Sequence, residues 1–333
     1  MAPHDPTRAD PTPPPTVGER DPGHPAAPYR DPDTAQARFL IEIADLRPRL
    51  LRYCSRMLGS ALDGEDVVQD TLAAAFFRLD TLDGSQALAP LLYRIAHNRC
   101  IDLLRRRRFQ GEATTEDRID DGSPEHDSIA SGEAARALEL LVTLLPPRER
   151  SCVVLKEVLE LSLEEIAEIT GSSTGSVKAA LHRGREKLAA LQRESAATPR
   201  VRALETDPEA VALLREYVDS FNRRDWEGLA ELLQEDVRLD VVGVLEDGTR
   251  QVILDRYVVN YSRLDGAWRL TLGAVDGEVV LLCMRREGGD DSDDEERVAW
   301  PIRVRLEGGR VAQLRDYVLQ HPLEGARQVE IDV

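Results

Sequence analysis

Four consecutive arginines, Arg105, Arg106, Arg107 and Arg108, close the segment LLYRIAHNRCIDLLRRRR. Helical spacing places Arg94, Asn98 and Arg105 on one face of that segment. Guanidinium groups at this density make a strong local positive potential. It suits phosphate, with an affinity that falls steeply as salt rises. An amide such as Asn98 can hold the edge of a base that has left the stack. A helix C-terminus answering its own dipole explains one or two arginines, and four exceed that need. A second set, Glu65, Asp66, Gln69 and Asp70, falls on one polar helical face. Carboxylates and an amide so arranged can pair with arginines of a partner protein, and a solvated acidic face fits them too. A third set lies between Ser162 and Leu188, in SLEEIAEITGSSTGSVKAALHRGREKL. There Thr174, Ser176, Lys178, Ala179, His182, Arg183 and Arg185 can reach phosphates and base edges in a major groove. An ordinary helical hairpin with a cationic solvated face is the alternative for that stretch.

These groups need elements to hold them. Ser162 with Glu165 three residues on forms a capping box, so a helix starts there. Gly171 is placed to end it in a left-handed turn, and Ser173 or Thr174 can cap the next helix. Val177 and Leu181 then face the first helix. A small residue at the crossing, a glycine in the turn and a β-branched residue in the second helix are the features of a helix-turn-helix. Upstream, VVQDTLAAAFFRL puts Val68, Leu72, Ala75, Phe76 and Leu79 on one apolar face. The arginine-ended helix repeats the pattern with Leu92, Ile95, Ala96, Cys100 and Leu103, and LDGSQALAP reads as a turn between the two.

The whole chain constrains these readings. Its 333 residues carry 43 Lys and Arg against 61 Asp and Glu, a formal net charge of −18. A free-standing DNA binder is usually basic, so nucleic-acid contact here is local or delivered by a partner. Cys54, Cys100, Cys152 and Cys283 are far apart and show no CxxC spacing. They read as reduced thiols in a cytoplasmic protein, with no metal site and no disulfide framework. No apolar run approaches the roughly 20 residues of a membrane span, and the amino terminus lacks a signal pattern. No nucleotide-binding loop is present, and no cofactor is expected. The expected organisation is a disordered proline-rich tail at 1–34, a helical domain at 35–109 and an acidic linker at 110–132. A helix-turn-helix domain at 133–192, a linker at 193–206, an α+β domain at 207–323 and a tail at 324–333 complete it.

The stretch LPPRERSCVVLKEVLELSLEEIAEITGSSTGSVKAALHRGREKL resembles the promoter-reading domain of sigma-70 family sigma factors, of the extracytoplasmic-function type. DGEDVVQDTLAAAFFRL resembles the helix of that family that grips the RNA polymerase clamp, and LLYRIAHNRCIDLLRRRR the helix that melts the minus-ten element. The resemblance covers roughly Phe39 to Leu191. It implies core RNA polymerase as the partner of Glu65, Asp66, Gln69 and Asp70. It implies minus-ten DNA for Arg94, Asn98 and Arg105 to Arg108, and minus-thirty-five DNA for the third set. Promoter DNA is then the nucleic-acid partner, and no membrane is involved.

The last third changes character. DPEAVALLREYVDSFNRRDWEGLAELLQEDV reads as two helices. VRLDVVGV, WRLTLGAV, GEVVLLCMRR, AWPIRVRLE and RVAQLRDYVL read as antiparallel strands, with hairpin turns at Asp276-Gly277 and Gly308-Gly309. YVDSFNRRDWEGLAELLQEDVRLDVVG resembles the opening of SnoaL-like domains. The fold class is therefore multidomain: two all-α domains followed by an α+β, cone-shaped SnoaL-like domain. The acidic segment 288–296 reads as a solvated loop, and the fused acidic domain is expected to modulate the sigma core by competing for a cationic or docking surface. The alternative is a SnoaL-like isomerase or hydrolase that the helical part targets to DNA. Relatives with such activity use an Asp or His acid–base pair, for which Asp240, Tyr257, Asp316, Tyr217 and His321 are the pocket candidates. A small-molecule ligand of that pocket is a candidate partner.

Overall fold

Helix α1 (Ala35–Leu58) lies antiparallel-fashion against α2 (Ala61–Phe76), and α3 (Leu88–Phe109) packs on both. This computed structural model describes residues 35–77, 88–109, 144–194, 207–243, 245–248, 250–257, 268–287, 295–331 and 333. The amino-terminal tail, most of the turn after α2, the acidic linker, the linker at 195–206 and residues 288–294 lie outside them. Ser60 caps α2 by accepting the Asp63 N–H. The apolar spacing of α2 and α3 is realised: Val68, Ala75, Leu92, Ala96 and Cys100 are buried, and Leu72, Ile95 and Leu103 partly so. Phe76 departs from it. At the last turn of α2 it is 41% exposed and meets Phe39 with ring centroids 5.9 Å apart.

Helix α4 (Pro147–Val153) starts on a proline, whose missing N–H costs nothing there, and runs into a π turn at Val154–Val158. Then come α5 (Leu163–Thr170) and α6 (Thr174–Glu194). The capping box is complete, with Ser162 accepting from Glu165 N–H and Glu165 from Ser162 N–H. Gly171 adopts φ 60° and ψ 35°, the left-handed conformation that ends α5. One hydrophobic core runs through α1–α3 and α4–α6, from Tyr53, Cys54 and Leu92 to Leu155, Ile166, Val177 and Leu181. Buried Arg150 ties the two helical groups together, donating to the carbonyls of Met57 (2.7 Å) and Leu145 (3.1 Å).

Helices α7 (Pro208–Asn222) and α8 (Trp226–Leu232) lead into a sheet of β1 (Leu233–Val241), β2 (Leu245–Gly248), β3 (Trp268–Val275), β4 (Glu278–Glu287), β5 (Glu295–Glu307), β6 (Arg310–Asp316) and β7 (Val329–Ile331). The strand order is β2-β1-β6-β5-β4-β3-β7. Both hairpin turns form as read, with positive φ at Asp276 and Gly277 and at Gly308 and Gly309. Two features differ from the antiparallel expectation. β1 pairs β6 in parallel, because the whole β2–β5 excursion supplies the long crossover a parallel pair requires. Residues 324–333, read as a tail, carry β7, which pairs with β3 at Gly273–Val275. Beyond that short pairing, Asn222 exchanges two 2.9 Å hydrogen bonds with the Leu270 backbone, satisfying an edge β7 leaves open. One face of the sheet buries Leu239, Leu270, Leu281, Ile302 and Leu314 with Tyr217, Phe221 and Leu229 of the helices. The other face packs on the start of α2.

Candidate functional site

On α3 the predicted face is real. Arg94, Asn98 and Arg105 are exposed along it, and Arg106 and Arg108 are exposed at the helix end. Arg107 turns the other way and donates to Asp63 at 2.5 Å. The helix thus presents cations outward while its opposite side buries Leu92, Ala96, Cys100 and Leu104. Beneath, His97 accepts or donates at 2.9 Å with the Tyr53 hydroxyl, and burial pushes its imidazole down to about 4.

On α6, Lys178, Ala179, His182, Arg183 and Arg185 are exposed, Thr174 and Ser176 half-buried, and Val177, Ala180 and Leu181 buried against the core. Ser173 supplies the cap, accepting the Ser176 N–H at 3.2 Å. Acidic residues that the sequence reading did not single out hold this helix from below. Glu149 of α4 receives Arg183 at 2.9 Å and Lys187 at 3.2 Å. Burial alone would raise the Glu149 carboxyl, and those two hydrogen bonds outweigh it and hold it below the ordinary value. Glu157 receives the Arg185 Nε at 3.1 Å, His182 lies 3.5 Å from Glu186, and Arg148 donates to Ser176. A Cβ on Gly184 would stand 2.8 Å from Val153 Cγ2, so glycine lets α6 cross α4 this closely. The PPRERS run carries the signal for this support, since Arg148, Glu149 and Arg150 take three separate jobs within one turn.

The acidic set on α2 is divided by the fold. Glu65 is fully buried, receives Arg47 and the Gln69 amide (2.7 Å), and has its carboxyl raised by burial, which Arg47 offsets in part. Asp70 is exposed and pairs with Arg99 at 2.7 Å. Asp66 points into a basic cluster of the carboxy-terminal sheet: Arg303 at 3.2 Å, Arg315 at 3.0 Å and the Tyr317 hydroxyl at 3.0 Å. Burial raises its carboxyl despite the two arginines. Asp63, absent from the sequence-based set, lies between Arg303 (3.0 Å) and Arg107. There the guanidinium groups overcome the effect of burial and lower its carboxyl.

Around this point the sheet grips α2 in other ways. Asp276, in the β3–β4 turn, accepts the Ala61 N–H at 2.8 Å, and also the backbone N–H groups of Arg327 (2.7 Å) and Gln328 (3.2 Å). A carboxylate here satisfies an orphan donor of the α2 N-terminus and answers the helix dipole. Arg327 donates to the Gly59 carbonyl, and Arg47 to Gln320. Ala61 and Leu62 join an apolar seam with Val242, Val275, Val280, Leu282, Met284 and Tyr317.

Inside the carboxy-terminal domain, Asp316 is fully buried and accepts the Tyr257 hydroxyl at 2.5 Å and the Val318 N–H at 2.9 Å. Tyr217 is buried nearby, its hydroxyl raised by burial and by the Asp316 charge. Asp240 is drawn elsewhere, to Arg315 at 2.6 Å, and His321 is exposed. Of the five pocket candidates the fold therefore brings Asp316, Tyr257 and Tyr217 together and leaves out Asp240 and His321. Trp268 and Trp300 stack with centroids 4.7 Å apart. Among the described residues no cluster of His, Cys, Asp or Glu could hold a metal, and no helix is long and apolar enough to cross a membrane.

Comparison with known proteins gives consistent matches. Residues 43–110 match the family described as Sigma-70 region 2, and residues 135–188 match Sigma-70, region 4. The chain is 32% identical over 159 residues to ECF RNA polymerase sigma factor SigW of Bacillus subtilis (strain 168), covering 44% of this chain and 85% of that protein. It is 31% identical over 229 residues to ECF RNA polymerase sigma factor SigG of Mycobacterium tuberculosis (strain CDC 1551 / Oshkosh), covering 61% of each. Among solved structures, Mycobacterium tuberculosis extracytoplasmic function sigma factor SigJ is 20% identical, with a TM-score of 0.29, covering 83% of this chain and 95% of that one.

Proposed function

Because this chain belongs to the extracytoplasmic-function (ECF) RNA polymerase sigma factors, we propose that α2 docks on core RNA polymerase while α3 and α6 handle promoter DNA. The observation that carries this division of labour is the pair of cationic helices, α3 and α6, built on one shared core. On α3, Arg94, Asn98, Arg105, Arg106 and Arg108 face the melted minus-ten element. On α6, Lys178, Ala179, His182, Arg183 and Arg185 face the minus-thirty-five duplex. The net charge of −18 supports delivery by polymerase, because free DNA repels the chain as a whole. The work is done in the cytoplasm, and the chain itself is not a catalyst. The carboxy-terminal domain modulates the core. Its buried carboxylate takes a tyrosine, Tyr257, and the exposure of His321 speaks against an Asp–His catalytic pair.

Run-off transcription with purified core polymerase tests this reading. The full-length chain should start transcripts from a cognate promoter only when core polymerase is present. Site-specific binding to promoter DNA without polymerase would point to a repressor instead. Turnover of a lactone or polyketide-like substrate would point to an enzyme.

A further inference from the structure

The start of α2 is occupied. Arg303 and Arg315 are cross-strand partners on β5 and β6. Like charges directly opposite one another destabilise a sheet, so this pair calls for an anion. Within the sheet Glu278 meets Arg303 at 2.8 Å and Asp240 meets Arg315 at 2.6 Å, and from α2 Asp66 bonds to both guanidinium groups and to Tyr317. Asp63 meets the same Arg303, Asp276 covers the Ala61 N–H, and Arg47 bridges Glu65 and Gln320. A partner that docks through Asp63 or Asp66 needs groups the sheet already holds.

From this we infer that the carboxy-terminal sheet and core polymerase compete for the first half of α2, so that the form described here must open there before polymerase docks. The inference rests on the sigma-factor reading above and specifies its regulation. In the described contact arginines of the fused domain reach acids of the sigma core, and residues 288–294 lie outside the described residues. The contact is built to be reversible. Its apolar part is small, Ala61 and Leu62 on α2 and the close approach of Gly325 to Leu51 of α1, and the rest consists of ion pairs and hydrogen bonds that water can replace.

Binding of the full-length chain to core polymerase, followed by fluorescence anisotropy, separates the possibilities. Two variants open the contact without touching α2. Arg303→Ala with Arg315→Ala removes the basic pair. Gly325→Leu drives a wedge between the carboxy-terminal domain and α1, because even a Cβ at 325 would stand 2.5 Å from Ser55 Oγ and 3.0 Å from Leu51 Cγ. Both opening variants should bind core polymerase at least about tenfold more tightly than the parent, because a closed fraction lowers apparent affinity in proportion. No gain in either opening variant overturns the competition while leaving the sigma assignment standing. Failure of every form to bind core polymerase overturns the sigma assignment itself, and the competition with it.

Discussion

His97 shows how burial turns one side chain into a pH-dependent element. Its ring, beneath the cationic, solvent-facing side of α3, is held neutral down to about 4 by desolvation, against 6.5 when unfolded. The unfolded chain therefore binds the extra proton first as pH falls. The stability associated with His97 is complete above pH 6.5 and is lost progressively down to pH 4, at about 3 kcal/mol in all. Chemical denaturation at stepped pH should show this slope in the parent and a shallower one in His97→Gln. Asp276 is the other residue with a sharp expectation. Its carboxylate receives three backbone N–H groups, one from α2 and two from the β7 approach. Asp276→Ala leaves those donors without their acceptor, and thermal or urea unfolding should register a loss of about 1–3 kcal/mol.

At the level of elements, α5 and α6 are set by short-range chemistry, and their contributions can be separated. Ser162→Ala removes one half of the capping box and should cost about 1 kcal/mol, read as a lower midpoint of unfolding. Lys178 is exposed on α6 and engages none of the acids that hold Arg183 and Arg185. Lys178→Ala should weaken binding of the holoenzyme to duplex carrying the minus-thirty-five element and flatten its salt dependence by a slope of about 1. Binding to core polymerase should stay at the parental level. A change there instead would mean that α6 faces protein.

For the whole molecule, the carboxy-terminal domain covers part of α2 and also helps to hold it. Ending the chain at Ala203 strips Asp276 from the Ala61 N–H and exposes Ala61 and Leu62 to water. The truncated chain should melt at a lower temperature than the full-length chain, and should bind core polymerase more tightly per folded molecule. A truncation that neither lowers the melting temperature nor changes affinity would show that the contact is energetically idle.

The sequence alone determined the helical groups, the caps at Ser162 and Gly171, both glycine-bearing hairpin turns, and most of the side chains of α3 and α6 that reach solvent, with Arg107 turned inward. All of these follow from periods and turn rules acting over a few residues, and those rules act the same way wherever the element ends up. What only the tertiary structure decided is the fate of the acids on α2. Asp66 and Arg315 are 249 positions apart, and their 3.0 Å contact exists because a parallel β1–β6 pairing and a terminal β7 build a sheet whose outer face meets Ala61 and Leu62. Alternating arginines on β5 and β6 read locally as a solvated face. Asp240 and Glu278 answer one guanidinium group each from within the sheet, and only the long-range packing of that face brings in Asp66, the carboxylate both share.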